Sequence, residues 1–244
     1  MLTNVYGKNA VRETLKGSRK IFQVITYETI KDQEILNSIK EKNIPMNIIP
    51  KNKFINQYGD KTGGIVAVVE EYKYTPIEDI LADLNKNDKK EAILLILAGL
   101  EDPHNLGAIL RTADATNIDG VIIPKNRSVK LNDTVSKVST GAIEHVKVSL
   151  VTNLSQTIGL LKDNGFWVIG LELSGTMDFK EAPYDGRVAL VVGSEGFGIP
   201  QGVLKNCDLV VKIPMYGKVN SLNASVSAGL ILYEAIRNKG NKWK

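Results

Sequence analysis

Residues 91–124 read EAILLILAGLEDPHNLGAILRTADATNIDGVIIP, and the order of their apolar and polar positions decides the fold class. Residues 93–98 form an aliphatic run of strand length, 106–116 carry a helical pattern, and 120–123 are apolar again. A strand that is apolar at every position must be covered on both faces, which is the environment of a parallel sheet flanked by helices. The alternation continues downstream. Apolar strands at 146–149, 167–171, 188–192 and 209–213 are interleaved with helical patterns at 135–139, 154–164 and 222–238. A mostly parallel α/β sheet is therefore expected, with ligands bound where loops leave the carboxyl ends of its strands. Three loops fit that description: 99–105, 193–200 and 214–221.

Upstream, the pattern is that of a second, smaller unit. Helices are expected at 9–16, 32–42 and after Asn52, and strands at 21–27, 46–49 and 65–69. Pro45 and the pair Gly63-Gly64 punctuate them. Residues 76–90 differ in kind: Pro76, a weak helix at 77–84, then the polar tract 85–90. We read 1–75 as a small α/β domain, 76–90 as a linker and 91–244 as the main domain.

Composition narrows the function classes. The chain has 244 residues, 43% hydrophobic and 24% charged, which suits folded domains with a sizeable core. The longest apolar stretch, 92–100, is far below the roughly 20 residues that span a bilayer. The opening residues lack the apolar segment of a secretory signal. A lone Cys207 forms no internal disulfide, and two separated histidines, His104 and His145, offer no metal site. A cytoplasmic protein without metal is expected. The formal charge of +4 is concentrated: residues 1–75 carry 12 Lys/Arg against 8 Asp/Glu. In the first twenty residues Lys8, Arg12, Lys16, Arg19 and Lys20 face a single acid, Glu13. Such a cluster either docks on phosphates or forms a solvated helix face.

Each of the three loops holds candidate chemistry. In the first, Asn105 reads as a helix N-cap, and Arg111, one of six arginines among 25 lysines, suits either bidentate phosphate binding or an ion pair with Asp114. The second contains Gly193, Gly196 and Gly198 in the order G-x-x-G-x-G, the reverse of the dinucleotide fingerprint, and Glu195 at a position that also suits helix capping. The third leads from Ile213 and Met215 through Ser221 and Asn223 into a helix rich in small residues, apolar nearly all round.

Together the loops resemble the three motifs of the SpoU-type RNA 2′-O-methyltransferases of the SPOUT superfamily. The matching residues are Asn105-x-Gly107-x-x-x-Arg111-Thr112, Gly193-Ser194-Glu195-Gly196, and the segment from Ile213-Pro214-Met215 to Ser221-Leu222-Asn223-Ala224-Ser225-Val226. Ile123-Pro124-Lys125-Asn126-Arg127-Ser128, Leu131-Asn132 and Gly141-Ala142 resemble the branch that acts on a guanosine of 23S ribosomal RNA, and Tyr6 to Val11 resembles the start of that branch's RNA-binding domain. One segment departs: relatives with His-Gln-Gly-Ile there are matched by Lys61-Thr62-Gly63-Gly64-Ile65.

The resemblance implies a trefoil-knotted catalytic domain, an exception to the rule against threaded loops. It implies S-adenosylmethionine held by Leu171, Glu172, Gly193, Gly196, Ile213, Met215 and Leu222. It places Arg111, Asn105, Glu195 and Asn223 in the catalytic site, and it implies a homodimer paired through the knot. RNA contacts are then expected from Lys8, Arg12, Arg19 and Lys20 of the small domain and from Arg127. A tRNA or other rRNA target, a non-catalytic RNA-binding role and a nucleotide-dependent oxidoreductase are the competing readings.

Overall fold

In the computed structural model, residues 2–60, 62–219 and 221–239 are described. Lys61 of the departing segment and Asn220 of the third loop lie outside them. The chain divides into two compact units, Met1–Lys73 with Lys130–His145, and Tyr74–Val129 with Val146–Lys244.

The first unit contains β1 (Leu2–Tyr6), α1 (Lys8–Lys16), β2 (Ile21–Thr26), α2 (Gln33–Glu41), β3 (Met46–Ile48), α3 (Lys51–Tyr58) and β4 (Ile65–Glu70). Its sheet runs β1-β4-β2-β3, with β4 antiparallel to both neighbours and β3 parallel to β2. Val5, Val11, Leu15, Val24 and Ile35 form the core on one side, and Phe54 closes the other against Ile25 and Val66.

The segment 130–145, expected within the main domain, packs in this first unit. It carries α6 (Asp133–Val138) and a helical turn, Ala142–Glu144. The physical reason is one buried carboxylate. Glu144, its side chain 3% exposed, accepts Arg19 Nη2 at 2.6 Å and Nε at 3.0 Å, Thr14 Oγ1 at 3.0 Å and the Tyr72 hydroxyl at 3.0 Å. The Arg19 guanidinium lies 3.6 Å from the centre of the Tyr72 ring. Burial, more than the neighbouring Glu144, pushes the Tyr72 hydroxyl well above its ordinary pKa. Gly141 is required here, because a Cβ would sit 2.6 Å from that of Glu13 and its φ is +99°.

The second unit holds α4 (Ile77–Lys86), β5 (Ala92–Ala98), α5 (Pro103–Ala115), β6 (Gly120–Pro124), β7 (Val148–Val151), α7 (Leu154–Asp163), β8 (Phe166–Leu171), β9 (Met177–Asp178), β10 (Arg187–Gly193), α8 (Gln201–Leu204), β11 (Leu209–Lys212) and α9 (Ala224–Asn238). Its seven strands run β7-β6-β5-β10-β8-β11-β9 and every pairing is parallel. β5 is buried at all seven positions, as its unbroken aliphatic run requires. The segment 76–90 is more than a connection: Ile77, Ile80, Leu81 and Leu84 of α4 belong to the main core beside Ile96 and Val168. Cys207 also packs inward, and burial pushes its thiol up to about 11. Among the described residues no helix is long and apolar enough to cross a membrane, and no group of three His, Cys, Asp or Glu is placed to hold a metal ion.

The strand order carries the functional consequence. From β5 the chain builds outward through β6 and β7, then returns to the other side, where β10 inserts between β5 and β8. The loops after β5, β8, β10 and β11 therefore leave the same sheet edge next to one another, at the reversal of strand order where ligands bind in open α/β sheets.

Candidate active site

Three of these loops, those after β8, β10 and β11, form one cavity of about 560 Å³ at that edge. Leu171 and Glu172 line it from the end of β8, Gly193 and Gly196 from the loop after β10, and Ile213, Met215 and Leu222 from the segment after β11. Glu195 and Ala224 line it too, as do residues that sequence reasoning did not single out, among them Leu173 and Phe197. Leu173 and Phe197 are 50% and 95% exposed, unusual for apolar side chains and a signal visible only once the loops are placed.

The loop after β10 is built by close backbone approach. Ser194 and Gly198 exchange both backbone hydrogen bonds, at 3.2 and 2.9 Å. A Cβ on Gly193 would lie 2.1 Å from the Gly198 carbonyl carbon. Gly198 has φ +64° and lies against the Glu172 carboxylate. That carboxylate accepts the amides of Ile199 at 2.8 Å and Leu173 at 3.0 Å, tying the β8 and β10 loops together. Glu172 thus secures the cavity wall, and the backbone there lies open to a bound molecule because no side chain intrudes.

At the rim, three predicted residues meet. Asn105 Nδ2 donates to Glu195 Oε1 at 2.9 Å; Asn223 Nδ2 donates to the same oxygen at 2.6 Å and to Asn105 Oδ1 at 2.9 Å. The Ala224 amide completes the set on Glu195 at 3.1 Å. Asn105 is only 7% exposed, so a buried amide has both ends satisfied by the other two motifs. The structure corrects two local readings. Asp102, not Asn105, caps α5, because Pro103 occupies the first helical position and starts the helix earlier; this frees the Asn105 side chain. Glu195 does not serve the helix that follows it in sequence, the four-residue α8, but sits at the start of α9, where Asn223 is the cap.

Arg111 stands apart. It is exposed on α5, lies outside the cavity lining, and makes no ion pair or hydrogen bond among the described residues, with Asp114 or any other. In the first unit, Lys20 is exposed beside the Phe22 ring and Lys8 pairs loosely with Glu28 at 3.7 Å. Arg12 is engaged by Asp32 and Glu34 at 2.5 and 3.1 Å, and Arg19 is turned inward on Glu144 with its side chain 11% exposed. Arg127 is exposed after β6.

Comparison with known proteins agrees with this geometry. The profile of the SpoU rRNA Methylase family matches residues 92–233, and that of RNA 2′-O ribose methyltransferase substrate binding matches 4–75. A Staphylococcus aureus (strain COL) protein named as a TrmH family tRNA/rRNA methyltransferase is 48% identical over 242 residues, covering 97% of this chain and 96% of that one. A Bacillus subtilis (strain 168) relative of the same description is 44% identical over 238 residues, covering 96% and 95%. In fold, the chain is similar to the AdoMet-bound rRNA methyltransferase from Sinorhizobium meliloti, with a TM-score of 0.82 at 21% identity over 97% of this chain and 87% of that one. With three motifs gathered at one sheet edge and nearly all of this chain matched by these relatives, the chain belongs to the SpoU family of RNA methylases.

Proposed function

We propose that this protein transfers a methyl group from S-adenosylmethionine to a ribose 2′-hydroxyl of structured RNA, a guanosine of 23S ribosomal RNA in the first instance. The observation that carries the reading is the convergence of Asn105, Glu195 and Asn223 at the rim of the glycine-walled cavity. S-adenosylmethionine fits that cavity as the donor, its sulfonium supplying an already activated methyl. The protein's own task is then to align the hydroxyl, stabilise its developing charge and assist proton loss.

Arg111 is the residue for the second task. A guanidinium with a pKa above about 12 is a poor base but a strong bidentate partner for the phosphate beside the ribose. Held there, it also stabilises the oxygen as it becomes negative. Asn105, Glu195 and Asn223 act as positioning residues: their mutual bonds fix the first and third loops on the second. Lys8, Lys20 and Arg127 are the exposed cations for RNA phosphates, whereas Arg12 and Arg19 serve the small unit's own acids. The domain division at 76–90 is retained for function only, with 1–75 as the RNA anchor and 91–244 as the catalytic part.

A homodimer belongs to this reading. Val226, Leu230 and Tyr233 form an exposed apolar stripe along α9, at 49%, 41% and 43% exposure. The trefoil knot belongs to it as well; the insertion of β10 between β5 and β8 supports that topology. A cytoplasmic location follows from the RNA substrate. A tRNA target is the second reading, favoured by the tRNA/rRNA description of the relatives. The test is to map 2′-O-methyl sites in total RNA with and without the gene. Loss of one guanosine mark in 23S RNA is expected; loss of a tRNA mark selects the second reading, and no loss overturns both.

A further inference from the structure

A second cavity, of about 530 Å³, opens at the β7 edge of the parallel sheet. It lies between the end of β7, the start of α7 and the segment that leads into α4. Three observations mark it as a built site. Ser149 lines it at 1% exposure, and its Oγ has no hydrogen-bond partner among the described residues. Buried hydroxyls are seldom left this way, because an unmade hydrogen bond costs the full desolvation of the group. Thr157, in the same wall, is by contrast satisfied by the Asn153 carbonyl at 2.9 Å. The side chains of Gln156 and Glu78 also line the cavity and are exposed.

The lining names the ligand class. It contains no Lys or Arg and one carboxylate, a lining that does not favour a phosphate. An amide, hydroxyls, the aromatic Tyr74 and a carboxylate acceptor match the hydrogen-bonding edge and flat face of an unpaired base. Because Glu78 only accepts, it matches an exocyclic amino group, which guanine, cytosine and adenine carry and uracil lacks.

Placement links this cavity to the candidate active site. All strands are parallel, so β7 ends at the sheet edge where β5 ends, two strand spacings or about 10 Å away. The residues between are the loop after β6. The Lys125 amide donates to the Val151 carbonyl of the cavity at 2.7 Å, and the Val129 amide donates to the Leu100 carbonyl, in the loop leading to Asn105, at 2.8 Å. Lys125 and Arg127, both exposed, stand along this bridge.

We propose that the β7 cavity is a nucleoside subsite. It takes an amino-bearing base (guanine, cytosine or adenine) of a nucleotide a few positions from the methylated one, with the intervening phosphates held by Lys125 and Arg127. This rests on the RNA-methylation reading above, and the test separates the two. Total RNA from cells lacking the gene is methylated with labelled S-adenosylmethionine by the wild-type protein, by Gln156→Ala and by Glu78→Ala. Both side chains are exposed, so folding is retained. Each substitution is expected to raise KM for RNA about tenfold, with kcat and the calorimetric affinity for S-adenosylmethionine unchanged. In parallel, p-benzoylphenylalanine replacing Gln156 is photolysed on the same RNA. A crosslink to a guanosine, cytidine or adenosine within a few nucleotides of the methyl mark supports the subsite. An unchanged KM in both variants overturns it, as does a crosslink that goes to protein, the result expected if a peptide strand adds to β7. No methyl transfer by the wild-type protein sinks the RNA-methylation reading itself.

Discussion

Two residues with the same guanidinium have opposite fates here. Arg19 is held inward by Glu144, the Glu70 carbonyl and the Tyr72 ring, and its removal leaves a carboxylate that is 3% exposed without its cation. Arg19→Ala should therefore destabilise the protein by about 3–5 kcal/mol, since a buried charge stripped of its partner keeps its desolvation cost. Arg19→Lys keeps the charge but loses the two-pronged geometry and should recover only part of this. Denaturant unfolding measures both; a cost under about 1 kcal/mol for Arg19→Ala would show the pair to be incidental. Arg111 has no such commitment, so Arg111→Ala should leave stability and S-adenosylmethionine affinity intact while abolishing methyl transfer. Near-normal turnover in that variant would remove it from the reaction. Glu195 lies between these cases. Its one oxygen takes three hydrogen bonds, and Glu195→Ala should lower kcat by about 10- to 100-fold, the worth of hydrogen bonds to a charged group. Glu195→Gln, which keeps the accepting oxygen, should restore part of it; equal loss in both would assign Glu195 a direct chemical role rather than a positioning one.

At the scale of elements, the loop after β10 offers an internal control. Gly193 has the Gly198 backbone where its Cβ would be, whereas nothing lies within 4 Å of a Cβ on Gly196. Gly193→Ala should weaken S-adenosylmethionine binding about 10- to 100-fold through overpacking of the cavity wall, and Gly196→Ala should bind nearly as well as the wild type. Calorimetry distinguishes them, and equal affinities would mean that the wall does not shape the cofactor site. The same loop shows what was legible in the sequence. Glycines close in sequence announce close backbone approach, and β5 and β10 announce themselves by unbroken aliphatic runs. β1 was illegible because Val5 is its only fully buried residue, so it has neither a continuous run nor a buried alternation. The helix at 77–86 was legible, but its role in the main core was not, because the polar tract beside it dominated the composition of the segment. The meeting of Asn105, Glu195 and Asn223 was visible only through family resemblance. Nothing local to three polar residues separated by up to 118 positions states that they touch.

For the whole molecule, charge and apolar surface divide the work. The excess of cations in residues 1–75 belongs to the small unit, where internal acids already engage Arg12 and Arg19. Lys20→Gln and Arg127→Gln should each flatten the salt dependence of RNA binding by about 0.7 in the log–log slope, the value for one single-stranded phosphate contact, with S-adenosylmethionine affinity unchanged. An unaltered slope would exclude the residue from the RNA path. The apolar counterpart is α9. Val226, Leu230 and Tyr233 repeat at helical spacing on one face, while Ala228, Ile231, Leu232 and Ala235 of the same helix fill the core beneath. A helix buried on one side and apolar on the other suits an isologous pair, which would place the same stripe on both subunits. Light scattering should then give twice the 26.8 kDa chain mass for the wild type. Leu230→Glu puts a like charge at the centre of both copies and should yield the monomer with its S-adenosylmethionine cavity still formed. A wild-type monomer, or a variant that stays dimeric, would move the subunit contact away from α9.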